Sequence, residues 1–281
     1  MLLAALRLIL SWVLRLTAET SDDMQSHAAR RARRLPKAVW ATDPVVQAQR
    51  HGNRYTLDLR DNVQRAFYFT GWYEKRYTRT LIRALRAGDV FLDVGAHVGT
   101  ISLPVARHLT AIGGGRVIAV EPAADTAKAL QGNVDLSGVH NIDVVQVALG
   151  ARPGSAALHS DPVRFDAADV AVRSFYGPGG SDQQVDVITF DSWAEASNLK
   201  RLDVIKIDVE GAELAVLEGM AESIRRHRPR LIGVEIRDYL LRQAEVSEQA
   251  LREWLDRAGY RPVEAGNLEG NFLFELMHVD M

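Results

Sequence analysis

A mostly parallel, twisted α/β sheet with helices on both faces is the fold class this sequence predicts, on three observations. From residue 90 onward, short apolar runs alternate with longer amphipathic stretches, the rhythm of right-handed strand–helix–strand crossovers. Runs such as Val117-Ile118-Ala119-Val120 and Leu231-Ile232-Gly233-Val234 are apolar throughout, as strands buried on two sides must be. Val90-Phe91-Leu92-Asp93-Val94 then opens through Gly95-Ala96-His97-Val98-Gly99 into a helical stretch, a junction whose glycines let the backbone approach a ligand closely.

Residues 1–16 are strongly apolar, but Arg7 and Arg15 interrupt them, so no run reaches the roughly 20 residues of a bilayer span. On a helix, Arg7, Ser11 and Arg15 form one polar stripe in a broad surface of Leu, Ile, Val and Trp12. That surface must be buried somewhere. Its own core, another subunit, or the plane of a membrane aided by the basic cluster from Arg30 to Lys37 would each serve. A signal peptide is disfavoured, because Arg7 breaks the apolar region and no small-x-small cleavage pattern follows. Residues 18–50 are polar and poorly periodic, as a linker or loosely packed helical extension would be.

Tyr55, Leu57 and Leu59 alternate with polar residues between the turn formers Asn53 and Asp61, which predicts a strand. Residues 72–85 read as a helix stopped at Gly88. Strands follow at 90–94, 116–120, 142–147, 203–209 and 231–236, and helices at 99–109, 123–136, 212–226 and 247–258. Two terminal strands near 260–264 and 271–277 would add an antiparallel edge. Pro153, Gly154, Pro162, Gly177, Pro178, Gly179 and Gly180 break the rhythm across 151–190, which is expected to form a mobile lid. The predicted organisation is a helical, basic extension over residues 1–50 and one domain over 51–281 carrying that insertion.

At 281 residues, 47% hydrophobic and 25% charged, the chain suffices for one large domain with an appendage. A net charge of −2 gives no electrostatic case for nucleic acid, although the first 40 residues are basic. Having no cysteine, the chain has no disulfide, thiolate metal site or thiol nucleophile. A cytoplasmic location is expected, with peripheral membrane contact through residues 1–37 and oligomerisation left open.

Ligands of open α/β sheets bind beyond the carboxyl ends of the strands, and here four strands end on acids: Asp93, Glu121, Asp208 and Glu235. A dinucleotide would lay its pyrophosphate over the glycine turn, where Asp93 at the mouth repels it; a ligand carrying an ammonium and a sulfonium is attracted. Asp-x-Gly-x-x-x-Gly also lacks the third glycine of the dinucleotide fingerprint, so the turn favours S-adenosylmethionine over NAD. Glu121, followed by Pro122, suits a carboxylate accepting both ribose hydroxyls, or an acid placed at a helix N-terminus. His97 lies within the loop, where it contacts cofactor carboxylate or acceptor or is a bystander.

Lys206, Asp208 and Glu210 are two apart, which points them to one strand face. A lysine inside an apolar strand needs a partner, and the adjacent carboxylates offer one, either for proton handling or as a structural ion pair. Asp208 with Glu235 supplies too few ligands to predict a metal, and none is expected.

Asp93-Val94-Gly95-Ala96-His97-Val98-Gly99, Val120-Glu121-Pro122, Val147-Ala148-Leu149-Gly150 and Ile205-Lys206-Ile207-Asp208-Val209-Glu210-Gly211-Ala212-Glu213 occur in this order, and together they resemble the FkbM family of S-adenosylmethionine-dependent methyltransferases. The likeness covers about residues 70–237, with Lys-Ile-Asp-Val-Glu-Gly its most specific block. It implies a class I Rossmann-like methyltransferase acting on hydroxyl groups of sugars or secondary metabolites. It further implies that Asp93, Gly95 and Gly99 cradle the methionine part, that Glu121 holds the ribose and that Ala148 lies near adenine. Many family members carry Asn where this chain has His97.

The reaction expected is in-line transfer of a methyl group to the hydroxyl of a small-molecule acceptor. Asp208 is the first candidate base, Glu210 or His97 the substitutes, and Lys206 the orienting group. The alternatives are a non-catalytic S-adenosylmethionine-binding protein and a membrane-associated interaction protein on the same fold.

Overall fold

Seven strands form the central sheet: β1 (Asp89–Val94), β2 (Gly115–Val120), β3 (Ile142–Val145), β4 (Val204–Ile207), β5 (Leu231–Glu235), β6 (Tyr260–Pro262) and β7 (Asn271–Leu276). The computed structural model describes residues 2–20, 22–40, 42–160, 173–174, 181–265, 268 and 270–277. In space the strands run β6-β7-β5-β4-β1-β2-β3, with β1 to β5 parallel and β7 antiparallel to both neighbours. This is the doubly wound sheet that the alternating pattern predicts. The chain leaves β1 for β2 on one side and returns to β4 on the other, so a crevice opens beyond their carboxyl ends.

Side-chain alternation gives each face its own core. Leu92, Val94, Ile118, Ile205, Ile207 and Val234 pack beneath helices Glu213–Glu218, Ala221–His227 and Glu248–Arg257. On the opposite face, Phe91, Val117, Ala119 and Val204 meet helices Ser102–Ala111 and Ala124–Ser137 together with the N-terminal elements. Asp93 and Lys206 share the parity of Phe91 and Val204, so they point into this second layer.

The N-terminal segment is more ordered than its polarity predicts. Of the two readings of residues 18–50, a linker or a helical extension, the helical one holds for the first part: helix Asp22–Arg33 buries Ala28, Ala29 and Ala32 and packs against helices Leu2–Thr20 and Asn62–Thr70. Strand Val45–Arg50 forms an antiparallel hairpin with Asn53–Asp58, so the pairing runs across residue 50. Helix Asn62–Thr70 begins where the Asp61 carboxylate accepts the Gln64 N–H at 2.9 Å. The helix expected over 72–85 starts only at Lys75, because Glu74 takes a left-handed backbone conformation (φ 44°).

Two further expectations need revision. The helix expected over 212–226 is two helices, Glu213–Glu218 and Ala221–His227, separated where Gly219 lies against the Gly150 carbonyl. The stretch 151–190 is not irregular at its ends, since Gly154–Ser160 and Ser181–Ile188 pair antiparallel and Ala148–Leu149 joins the latter in parallel. The expected lid otherwise lies outside the described residues.

Helix Leu2–Thr20 is turned opposite to the usual sense. Its polar stripe faces the protein: Ser11 is buried and donates to the Tyr68 carbonyl at 3.3 Å, while Arg7 is buried and donates to the carbonyls of Val39 (2.7 Å), Asp43 (2.9 Å) and Thr42. Leu6, Leu8, Ile9, Trp12, Val13 and Leu16 face outward, with Leu8, Ile9 and Trp12 each more than 60% exposed. The expectation that the broad apolar surface is buried against the protein's own core is therefore corrected: Arg7 can satisfy its guanidinium on three carbonyls only by facing inward, and the apolar arc is carried outward. Among the described residues no helix is long and apolar enough to cross a membrane.

Candidate active site

A cleft of about 1010 Å³, including its open mouth, lies at the switch point between β1 and β4. Eight of the nine residues given a catalytic or cofactor-binding role from sequence line it: Asp93, Gly95, His97, Glu121, Ala148, Lys206, Asp208 and Glu210. Gly99 does not. It supports the turn from behind, where a Cβ would fall 2.1 Å from Leu103 Cδ1 and 2.7 Å from Leu130 Cδ1. Gly95 has φ +78°, and a Cβ there would sit 1.8 Å from the Asp208 carbonyl oxygen, so the turn after β1 is seated directly on the end of β4.

Lys206 is the buried centre of the site. Parallel register sets it beside Asp93 across β1 and β4, and Nζ lies 3.1 Å from Asp93 Oδ1 and 3.5 Å from Asp208 Oδ2. Nζ also donates to the Gly95 carbonyl at 2.7 Å and the Val94 carbonyl at 3.3 Å. Burial opposes its charge, but Asp93 and Asp208 outweigh burial and hold the ammonium above the usual lysine range. Lys206 is a fixed cation.

Asp93 corrects an expectation. It is fully buried on the cleft floor rather than at its mouth, with Oδ1 on Lys206 and Oδ2 accepting from Ser102 Oγ at 2.5 Å. Its charge is already matched by Lys206, so the negative rim consists of Glu121, Asp208 and Glu210. A second correction concerns the face shared by Lys206, Asp208 and Glu210. The strand ends at Ile207, and Glu210 reaches the cleft through a left-handed turn (φ 54°) rather than by strand alternation.

Glu121 accepts the backbone N–H of His97 at 3.0 Å on one oxygen and of Ala123 at 3.1 Å on the other, which leaves each oxygen a second lone pair. Burial raises its carboxyl above the usual range. His97 is tied to a residue the sequence marked only as a turn former: its Nε2 lies 2.8 Å from Asp61 Oδ2. Burial would discharge the imidazole, yet Asp61 overrides it and raises the pKa of His97, while the Asp61 carboxyl is held below its ordinary range. His97 Nδ1 is buried without a hydrogen-bond partner. Ala148 clusters with Ala123 and Leu158 as an apolar wall of the cleft.

Tyr73 also lines the cleft, and burial followed by the Glu74, Asp208 and Glu235 charges keeps it a neutral phenol. The dipeptide Tyr73-Glu74 also suits the FkbM resemblance, and that is its sequence signal. Glu235, noted as a strand-end acid, converges with Asp208 and Glu210, each offering a carboxylate oxygen within 4.8 Å of the others.

The profile of the methyltransferase FkbM domain matches residues 93–262, which takes in the end of β1, all of β2 through β6 and every residue of this cleft from Asp93 onward. The chain belongs to the FkbM methyltransferase family. Among similar characterised proteins, the hexuronic acid methyltransferase AglP of Haloferax volcanii is 25% identical over 181 residues, 64% of this chain and 70% of that protein. Methyltransferase 1 of Beauveria bassiana is 31% identical over 149 residues, 47% of this chain and 59% of that protein. Among solved structures, the methyltransferase FkbM of Methylobacillus flagellatus aligns at 17% identity and TM-score 0.45, over 76% of this chain and 53% of that one.

Proposed function

We propose that this FkbM-family chain transfers a methyl group from S-adenosylmethionine to a hydroxyl oxygen of a small-molecule acceptor of the sugar or secondary-metabolite type. One observation carries the reading: the Gly95 turn and Glu121 share a single cleft with the Asp208 carboxylate. The residues present fit the cofactor. Gly95 admits close backbone approach, Glu121 has lone pairs for two ribose hydroxyls, and Ala123, Ala148 and Leu158 offer an apolar seat for adenine. The orphaned His97 Nδ1 is a donor for the methionine carboxylate.

S-adenosylmethionine supplies an electrophilic methyl carbon on a sulfonium. Asp208 takes the acceptor's hydroxyl proton as the new C–O bond forms and the S–C electron pair returns to sulfur. Lys206, 3.5 Å away, orients that carboxylate, and Glu210 is the second acid within reach. Alignment of donor and acceptor in a rigid cleft contributes much of the rate.

Asp208→Asn should retain cofactor binding by calorimetry and lose about 10²–10⁴ in turnover. Near-normal turnover of the variant on an acceptor found by its gain of one CH₂ in mass would refute the assignment. A wild-type chain that binds the cofactor and methylates nothing in a broad hydroxylated library would establish the non-catalytic alternative.

The proposal includes a location. The outward apolar arc of helix Leu2–Thr20 lies beside helix Asp22–Arg33, where Arg30, Arg31, Arg33 and the following Arg34 are exposed. An apolar face with adjacent exposed arginines is complementary to an anionic membrane surface. Vesicles containing phosphatidylserine should float the full chain, and Trp12→Asp with Leu8→Asp should abolish flotation. Concentration-dependent dimerisation without flotation would assign the arc to a second copy instead.

A further inference from the structure

Beside the donor seat, acids that follow β4 and end β5 form a cluster that overlaps the cleft. Asp208, Glu210 and Glu235 each present a carboxylate oxygen within 4.8 Å of the other two. Clustered acids alone are unremarkable. Here, however, Glu235 is only 3% exposed and its Oε2 has no hydrogen-bond partner, while Oε1 is held by Arg237 Nε at 2.5 Å. A buried carboxylate oxygen left bare costs free energy unless something fills the place before it. Among the described residues no protein donor fills it.

The donor set identifies the ligand class. Three carboxylates with neither imidazole nor thiolate select a hard, oxygen-seeking divalent ion over zinc or copper. Two of the three, Asp208 and Glu210, also line the cleft, so an ion among them would border the space left for the acceptor. Such ions keep several coordination positions for water or substrate oxygens.

We propose that Asp208, Glu210 and Glu235 bind a divalent cation of the Mg²⁺ class, and that this ion anchors an acceptor offering two neighbouring oxygens, as a vicinal diol or hydroxy acid does. The inference rests on the methyl-transfer reading above and adds the acceptor's chemistry to it. Coordination polarises the hydroxyl that is methylated. A carboxylate has two oxygens, so ligation by one leaves Asp208 the other for the departing proton. The atom balance of the transfer is unchanged.

Mn²⁺ is the probe, read by loss of its free-ion electron paramagnetic resonance signal on titration with the full chain. One ion per chain should bind and be displaced by Mg²⁺, and Glu235→Gln should weaken binding about tenfold or more. If Glu235→Gln does not fold, Glu210→Gln decides, with Glu248→Gln, in the first turn of helix Glu248–Arg257 and outside the cluster, as the unchanged control. No saturable Mn²⁺ binding, or equal binding by the cluster variants, overturns the site. Calorimetry with S-adenosylmethionine in EDTA separates the two claims: cofactor binding without Mn²⁺ binding overturns the cation alone, and Mn²⁺ binding without cofactor binding overturns the methyl-transfer reading alone.

Discussion

Replacing Lys206 by methionine keeps most of the side-chain length and removes the charge, which leaves fully buried Asp93 with Ser102 as its hydroxyl donor and no cation. Breaking a buried ion pair on one side costs about 3–5 kcal/mol. Lys206→Met is therefore expected to lower the urea midpoint sharply, and an unchanged midpoint would show that the pair is dispensable. Glu213, which braces the turn after Asp208, offers a pH test. It accepts the N–H of Gly211 at 3.0 Å and of Val209 at 3.3 Å, and burial pushes its carboxyl up to about 7. The native state then holds a proton the unfolded chain releases, so this contribution is complete below about 4.5 and lost as pH rises toward 7. At roughly 1.4 kcal/mol per unit it amounts to about 3 kcal/mol. Stability measured by denaturant titration from pH 4.5 to 8 should fall less in Glu213→Gln than in wild type.

At the scale of elements, the turn after β1 is the most exacting. Gly95→Ala would drive a methyl group into the Asp208 carbonyl, so the variant is expected to lose S-adenosylmethionine binding by calorimetry; wild-type affinity would contradict the geometry. This turn and the strands flanking it were legible in the sequence because continuous apolar runs bounded by glycine and acid admit few other readings. Lys206 was legible as a buried cation but not its closer partner. Sequence proximity points to Asp208 and Glu210, whereas strand register brings in Asp93. Asp61 stayed hidden because its contact with His97 is made in space and its sequence context signals only a turn. Helix Asp22–Arg33 was legible only as one alternative to a linker, because it packs through alanines in a stretch dominated by charged and polar residues.

For the whole molecule, the N-terminal elements cover the sheet face that carries Asp93 and Lys206, so they are part of the site's construction. Arg7 fastens the first helix to the carbonyls of Val39, Thr42 and Asp43. Arg7→Ala should release that helix, seen as faster limited proteolysis near residues 36–44, and an unchanged cleavage rate would show that Arg7 does not hold it. Gly95 pressed on Asp208 has a last consequence. On the proposed function, the seat of the methyl donor and the base that serves the acceptor are mechanically one object, so the gap a methyl must cross is gauged by sheet spacing rather than by loop excursions. Heating should then extinguish turnover in the same cooperative step that melts the sheet, with no inactive but folded stage beforehand.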